Sequence, residues 1–378
     1  MEARTPHRVL IVAGEASGDR HAARLVHALR AHGPLDARGV TGPALEAAGV
    51  RPIARSSELA VVGFTGVLAR LPRIFTVERA VERAAREFRP QAVVLVDSPG
   101  FNFRIGPRLH RLGIRTFYYI APQVWAWHAE RAQQMSRWVD RLAVVFPFEE
   151  ELFRSAGVDA RFVGHPLIED LAPEQDGLTL RASLGLDSAT RLIGLLPGSR
   201  PGELRAHLPV MVETARALCA ARPGLVALVA VAPGLEDLVP AALREPNGPV
   251  RAVSGRTHAI QAAADCCIVA SGTATLETAL FGTPLVVVYR TSRINYAIAR
   301  RLVRLERIGL PNIVAGTDVA PERVQNGFTR SELEPILARW LDDPAARAAQ
   351  RAKLSVLRTR LGGPGAGARA ASLLAELL

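Results

Sequence analysis

The chain has 378 residues, 49% of them hydrophobic and 22% charged, and 47 basic against 36 acidic side chains leave a net charge of +11. That size and composition suit two ordinary globular domains and exclude a disordered or low-complexity chain. Three cysteines exclude a disulfide framework or a cysteine-based zinc motif, and no run reaches the ~20 apolar residues of a membrane span.

Lys353 is the only lysine. An excess of positive charge carried by arginine favours anionic partners, because guanidinium grips phosphate in a two-pronged geometry. The N-terminus has no basic segment leading into a long apolar stretch, so the expected location is the cytoplasm, with any membrane contact peripheral.

Short β-branched runs alternate with amphipathic stretches along the chain, the pattern of βα units around parallel sheets. The first predicted strand, Arg8–Val12, ends in Ala13-Gly14-Glu15-Ala16-Ser17-Gly18-Asp19, with a helix over Asp19–Ala31. Small residues at such a turn let a ligand approach the backbone at the helix start. A tight turn with Asp19 as N-cap explains the glycines, but not the two carboxylates Glu15 and Asp19.

Next comes the apolar segment Leu59–Phe75, which contains Arg70 and Arg73 and in which Gly63, Gly66 and Pro72 are expected to interrupt any helix. Arg79, Arg83, Arg86 and Arg89 follow it. Apolar side chains flanked by arginines suit an anionic bilayer surface, although a buried helix with a solvated basic face has the same pattern.

The strand Ala92–Val96 leads into Asp97-Ser98-Pro99-Gly100-Phe101-Asn102-Phe103. A carboxylate just beyond a buried parallel strand points into the ligand crevice, where burial raises its basicity. Asp97 is therefore the first candidate for a general base acting on a sugar hydroxyl. The strand Thr116–Ile120 opens an aromatic run, Tyr118–Trp127, in which Trp125 and Trp127 could stack on a sugar or acyl chain or simply pack. After the strand Leu142–Val145, Gly164-His165-Pro166 reads as a hinge.

The stretch Leu171–Gly177 is polar, carries proline and glycine, and reads as a linker. The predicted organisation is two doubly wound α/β domains, 1–172 and 173–345, with a helical tail over 346–378.

In the second half the strand Leu192–Leu196 precedes Pro197-Gly198-Ser199-Arg200, and a helix is predicted over Leu204–Ala221. Amides plus one arginine at a strand end suit a phosphate or diphosphate. After Leu225–Val231 and Cys266–Val269 comes Ser271-Gly272-Thr273-Ala274-Thr275-Leu276-Glu277, where amides and hydroxyls can hold phosphate and Glu277 can accept the hydroxyls of a ribose. Cys266 and Cys267 read as core. A last strand, Leu285–Val288, completes the set. Two phosphate-type loops in one domain indicate a nucleotide diphosphate. No cluster has metal-ligand spacing, so neither a metal nor a cofactor is expected.

Gly14–Asp19, Tyr118–Trp127, Gly164-His165-Pro166-Leu167, Leu196–Arg200, Ser271–Glu277 and Leu310-Pro311-Asn312 together resemble the lipid-A-disaccharide synthase family. The resemblance covers residues 10 to about 325. It implies the GT-B fold, two Rossmann-like domains facing a central cleft with a C-terminal helix crossing back onto the first. It also implies an inverting transfer from UDP-2,3-diacylglucosamine to 2,3-diacylglucosamine 1-phosphate, giving a β-1,6-linked disaccharide and UDP.

The site it implies has Asp97, Glu15 and Asp19 as catalytic residues. It assigns nucleotide-sugar contacts to Gly198, Ser199, Arg200, Ser271, Gly272, Thr273, Thr275, Glu277, Asn312, Glu322 and Gln325. Acceptor or lipid contacts are expected at Ser17, Asn102, Gln123, Trp125 and Trp127, and at Val61, Val62, Phe64, Val67, Leu68, Arg70, Leu71 and Arg73. The expected partners are the two acylated sugars and the anionic cytoplasmic face of the inner membrane. No nucleic acid is expected, and a homodimer is compatible with the reading.

The chain departs from the family in having Gly100 where a second aspartate is usual, and Ala121-Pro122 where Ser-Pro is usual. The competing readings are a UDP-N-acetylglucosamine 2-epimerase-like isomerase of the same architecture, and a non-catalytic protein bound to an anionic membrane.

Overall fold

The computed structural model describes residues 5–59, 64–127, 130–171, 173–187, 189–245, 247–292, 296 and 306–378; for 64–71, 126–127 and 173–176 only the backbone is described. The chain divides into two units, Met1–Pro166 with Leu361–Leu378, and Leu167–Arg360.

The first unit is a seven-stranded parallel sheet built from β1 (His7–Ala13), β2 (Leu35–Thr41), β3 (Arg51–Arg55), β4 (Ala92–Val96), β5 (Arg115–Tyr119), β6 (Arg141–Val144) and β7 (Ala160–Phe162), in the order β3-β2-β1-β4-β5-β6-β7. Val9–Ala13 and Ala92–Val96 are fully buried, as expected of central strands covered on both faces. The order reverses between β1 and β4, whose register pairs Ala13 with Val96. The crevice of a doubly wound sheet opens at that reversal, beyond the carboxyl ends of the strands. The helix Ala366–Ala375, near the end of the chain, packs on the helix Ala16–Leu29. Arg369 Nε also donates to Val163 O at 2.7 Å.

The second unit has six parallel strands, β8 (Arg191–Leu196), β9 (Leu225–Val231), β10 (Val250–Ser254), β11 (Cys266–Ala270), β12 (Leu285–Tyr289) and β13 (Glu322–Val324), in the order β10-β9-β8-β11-β12-β13. Its reversal lies between β8 and β11, where Leu196 pairs with Val269. Cys266 and Cys267 are buried in β11.

Three expectations change. The stretch Leu171–Gly177 is not an open linker: Pro173 begins a helix over Pro173–Ser183, since proline at a first helical position lacks only an N–H that would be orphaned anyway. The break between the units falls instead after Pro166, and of the tail only residues from Leu361 join the first unit, because the helix Pro344–Arg360 buries Leu354 and Leu357 in the second. Finally, the glycines and Pro72 do not prevent a helix over Phe64–Phe88. Beyond Pro72 a stripe of Val77, Val81, Ala85 and Phe88 is buried at helical spacing and anchors it.

Candidate functional site

At the reversal point of the first unit, the turns after β1 and β4 touch. A Cβ on Gly14 would lie 2.6 Å from Ser98 Oγ, so only glycine lets the two turns close together. Asp97 and Ser98 both have left-handed backbones, φ 47° and 41°, a conformation that costs about 1–3 kcal/mol at a non-glycine residue. Two buried side chains hold this turn. Tyr118 Oη donates to Asp97 O at 2.6 Å, and Asn102 Nδ2 donates to the same oxygen at 2.6 Å and to Val96 O at 3.3 Å. The Asp97 amide donates to Tyr119 O at 3.0 Å.

The Asp97 carboxyl is pushed up to about 6, chiefly by burial and next by the charge of Glu15, while the Ser98 amide works the other way. Glu15 is exposed at the N-cap of the helix Ala16–Leu29, and Ser17 lies partly buried in its first turn.

Other candidates of this unit have different work. Asp19 is 2% exposed, and its carboxylate accepts three amides, Gly42 at 2.7 Å, Ala44 at 2.8 Å and Leu45 at 3.2 Å. It caps the short helix Pro43–Ala47, and its burial together with these three bonds favours a positioning role over the expected catalytic one. Asn102 is fully buried and clamps Asp97 instead of touching an acceptor. Trp125 Nε1 donates at 3.0 Å to Glu149, a fully buried carboxyl that burial pushes up to about 8, and the indole meets the Phe148 ring edge-on. Gln123 is exposed.

A Cβ at Gly100 would meet nothing within 4 Å, so the glycine answers no steric need; the usual carboxylate is simply missing. Arg73 is exposed and paired with Glu58 at 3.1 Å. Val61 and Val62, and the side chains of Phe64, Val67, Leu68, Arg70, Leu71 and Trp127, lie outside the described residues.

In the second unit the loops after β8 and β11 flank the reversal. Gly198 has φ 111°, and a Cβ there would lie 2.4 Å from Glu203 Oε2. Glu203 accepts the Ser199 amide at 3.1 Å and Arg200 Nη1 at 2.8 Å, while the Arg200 side chain remains 81% exposed.

In the neighbouring loop the Ser271 amide continues the ladder to Val288 O at 2.9 Å, and its hydroxyl donates to Ile308 O at 2.8 Å. Thr275 Oγ1 donates to Gly272 O at 2.7 Å. Both hydroxyls are thus engaged by backbone, and the exposed Gly272 and Thr273 offer amides at the start of the helix Thr273–Leu280. Glu277, one turn on, is partly buried, with His258 Nε2 at 3.4 Å from Oε2.

Asn312 and Glu322 are also committed to the fold. Asn312 is 1% exposed, donates to Ala320 O and Glu322 Oε1, and accepts the amides of Val319 and Ala320. Glu322 accepts the Ile308 and Gly309 amides at the start of the helix Leu310–Ala315. With every polar atom of Asn312 engaged, direct nucleotide contact gives way to shaping the loop. Gln325 differs. Its backbone is left-handed, φ 53°, and its buried Nε2 finds no partner among the described residues.

The sequence gives no signal for the roles of Tyr118, Glu203 and His207. Of these, Glu203 and His207 could have been noticed only as neighbours one turn apart on the helix after the phosphate-type loop.

Both sheets occur in solved structures. A UDP-N-acetylglucosamine 2-epimerase from Neisseria meningitidis, bound to UDP-N-acetylglucosamine, superposes with a TM-score of 0.64 at 12% identity, over 98% of each chain. The calicheamicin glycosyltransferase CalG4 does so at 0.60 and 19%, over 99% of this chain and 98% of that one. At such identities the likeness shows the fold alone.

Sequence is more specific. A lipid-A-disaccharide synthase of Anaeromyxobacter dehalogenans is 45% identical over 371 residues, 97% of either chain. The family model described as lipid-A-disaccharide synthetase matches residues 9–362, a span that takes in the turns at both reversal points. The chain belongs to the lipid-A-disaccharide synthase family.

Proposed function

We propose that the chain joins two acylated glucosamines, transferring the sugar of UDP-2,3-diacylglucosamine with inversion to the 6-hydroxyl of 2,3-diacylglucosamine 1-phosphate. Asp97 takes the proton from that hydroxyl while the oxygen attacks the anomeric carbon opposite the departing UDP. The observation that carries this role is the Asp97 carboxyl itself. It stands at the reversal of the first sheet on a backbone clamped by Tyr118 and Asn102, and its affinity for protons is raised while it stays ionised at pH 7.

Arg200 and the amides at Gly272 and Thr273 receive the diphosphate, Glu277 the ribose hydroxyls, and Gln325 Nε2 supplies a further donor. The two substrates are a UDP-sugar and a phosphorylated lipid, and both are anions. Supplying both acyl-sugars in detergent releases UDP and yields disaccharide. Asp97→Asn lowers turnover by about 10²–10⁴-fold with UDP affinity intact. Equal loss of binding and turnover would make Asp97 structural.

Peripheral contact with an anionic membrane belongs to the same reading. Arg73, Arg79, Arg83 and Arg86 are exposed along the helix Phe64–Phe88, as is Phe75, 43% exposed, beneath the Arg104 guanidinium. Among the described residues no helix is long and apolar enough to cross a membrane. Co-sedimentation with vesicles containing anionic lipid, lost on reversing the charge of Arg79 and Arg83, tests this contact.

A further inference from the structure

The helix Pro201–Ala220 follows the loop Pro197–Arg200 and carries His207 one turn after Glu203. The His207 ring is fully buried, between Tyr289 and Phe328 at centroid distances of 5.7 and 5.8 Å. Both ring nitrogens are engaged. Nδ1 lies 2.8 Å from Pro197 O, a carbonyl that can only accept, so Nδ1 carries the proton. Nε2 accepts the Arg290 amide at 2.9 Å and so carries none. The ring is a neutral imidazole of defined tautomer. Burial lowers its affinity for a proton, in agreement with that state.

What the ring joins is more telling than its burial. Pro197 follows β8 and Arg290 follows β12, and these strands are not neighbours: β11 lies between them. One side chain therefore spans the carboxyl end of β11, the strand that delivers Ser271–Thr275. From Arg290 the connection continues, since its guanidinium donates to Gln325 O at 3.3 Å and to Phe328 O. The loops that carry Arg200 and Gln325 thus share one link, which passes the carboxyl end of the strand that delivers Ser271, while Glu203 fixes the outer end of the first loop.

We infer that His207 is a positioning residue for the nucleotide diphosphate: by bonding Pro197 and Arg290 at once it sets the width of the crevice across β11. The inference rests on the nucleotide-sugar reading of this unit. A crevice held open at a fixed width meets its ligand without reorganising, which raises affinity for the donor and leaves the proton transfer at Asp97 unaffected.

The bridge can be cut one bond at a time. In His207→Asn the side-chain amide occupies the place of Nδ1 and keeps the bond to Pro197. In His207→Gln the amide reaches the place of Nε2 and keeps the bond to Arg290. UDP affinity is measured by calorimetry on the full chain, with thermal melting alongside and kcat and KM for both substrates. Each variant is expected to bind UDP about tenfold more weakly, the effect of one buried hydrogen bond left unmade. The donor KM rises in step, while acceptor KM and kcat at saturating donor stay within about twofold.

UDP binding at the wild-type level by either variant would reduce His207 to a single-bond anchor and overturn the bridge. A fall in kcat with donor KM unchanged would overturn it as well. Should the wild-type chain itself bind no UDP, the nucleotide-sugar reading fails, and that outcome is separate from either of these.

Discussion

In the proposed reaction Asp97 accepts a proton, which it can do only as a carboxylate, so the acid limb of kcat/KM is expected to follow its titration. Burial and Glu15 carry this carboxyl from 3.8 to about 6, equivalent to about 3 kcal/mol in favour of the neutral form. About nine-tenths of it is ionised at pH 7 and about one-tenth at pH 5, so kcat/KM falls about tenfold between them. Between pH 3.8 and about 6 the folded chain binds more protons here than the unfolded chain does, so this group removes stability as pH rises through that window.

Glu15→Gln deletes the second of the two causes and keeps the first. The acid limb should therefore move to lower pH while staying above the ordinary aspartate range, because burial is the larger cause. The assay is UDP release at subsaturating acceptor from pH 5 to 8, for wild type and variant side by side. Coincident limbs would refute the assignment of the limb to Asp97 beside Glu15. So would a wild-type profile that stays flat down to pH 5.

Asp19→Asn places a side-chain amide against the Ala44 amide and should cost about 1–3 kcal/mol of stability, read as a lower urea midpoint, while turnover per folded molecule changes little. A 10²–10⁴-fold loss in a folded variant would return Asp19 to the chemistry. Arg200→Ala should raise donor KM about 10–100-fold, the worth of a charge-assisted bond to phosphate, and leave melting unchanged. Its ion pair with Glu203 involves a guanidinium that is 81% exposed and contributes little to stability. Tyr118→Phe removes one of two donors to Asp97 O and should lower kcat more than it raises either KM, with Asn102 still holding the turn. A change confined to KM would show that the clamp does not serve the base.

The central strands were legible because burial on both faces demands unbroken apolar runs: Ala92–Val96 and Leu225–Val231 have the same ends in sequence and structure. β3, β10 and β13 are sheet edges, and β7 and β13 have only three residues each, too little apolar sequence to stand out. β2 was hidden for another reason. Gly39 interrupts its apolar pattern, and a Cβ there would lie 1.9 Å from Ile11 O, so close packing on β1 excludes the residue types by which strands are recognised. Both reversal points were legible as strand-end motifs, since glycine, serine and charge cluster where backbone must approach a ligand. The link through His207 was not, because its partners are a carbonyl and an amide, groups that every residue supplies.

The acidic residues show why motif and role part company. Glu15, Asp19 and Asp97 lie in strand-end motifs whose residue types point to a site, and the family resemblance adds Glu322, the first residue of β13. Their hydrogen bonds separate them. Asp19 and Glu322 each accept three donors from the fold, which commits both carboxylates to holding loops and helix starts. Asp97 is partly buried, with the Ser98 amide as the one hydrogen-bond donor that lowers its proton affinity, and Glu15 stands exposed beside it as a like charge. Removing water without supplying compensating donors is what turns an ordinary aspartate into a base useful near neutral pH. The clamps on this turn conform to that requirement, for Tyr118 and Asn102 both donate to the backbone carbonyl of Asp97. They fix where the residue sits without engaging its carboxylate, which leaves that group for the proton transfer proposed for it.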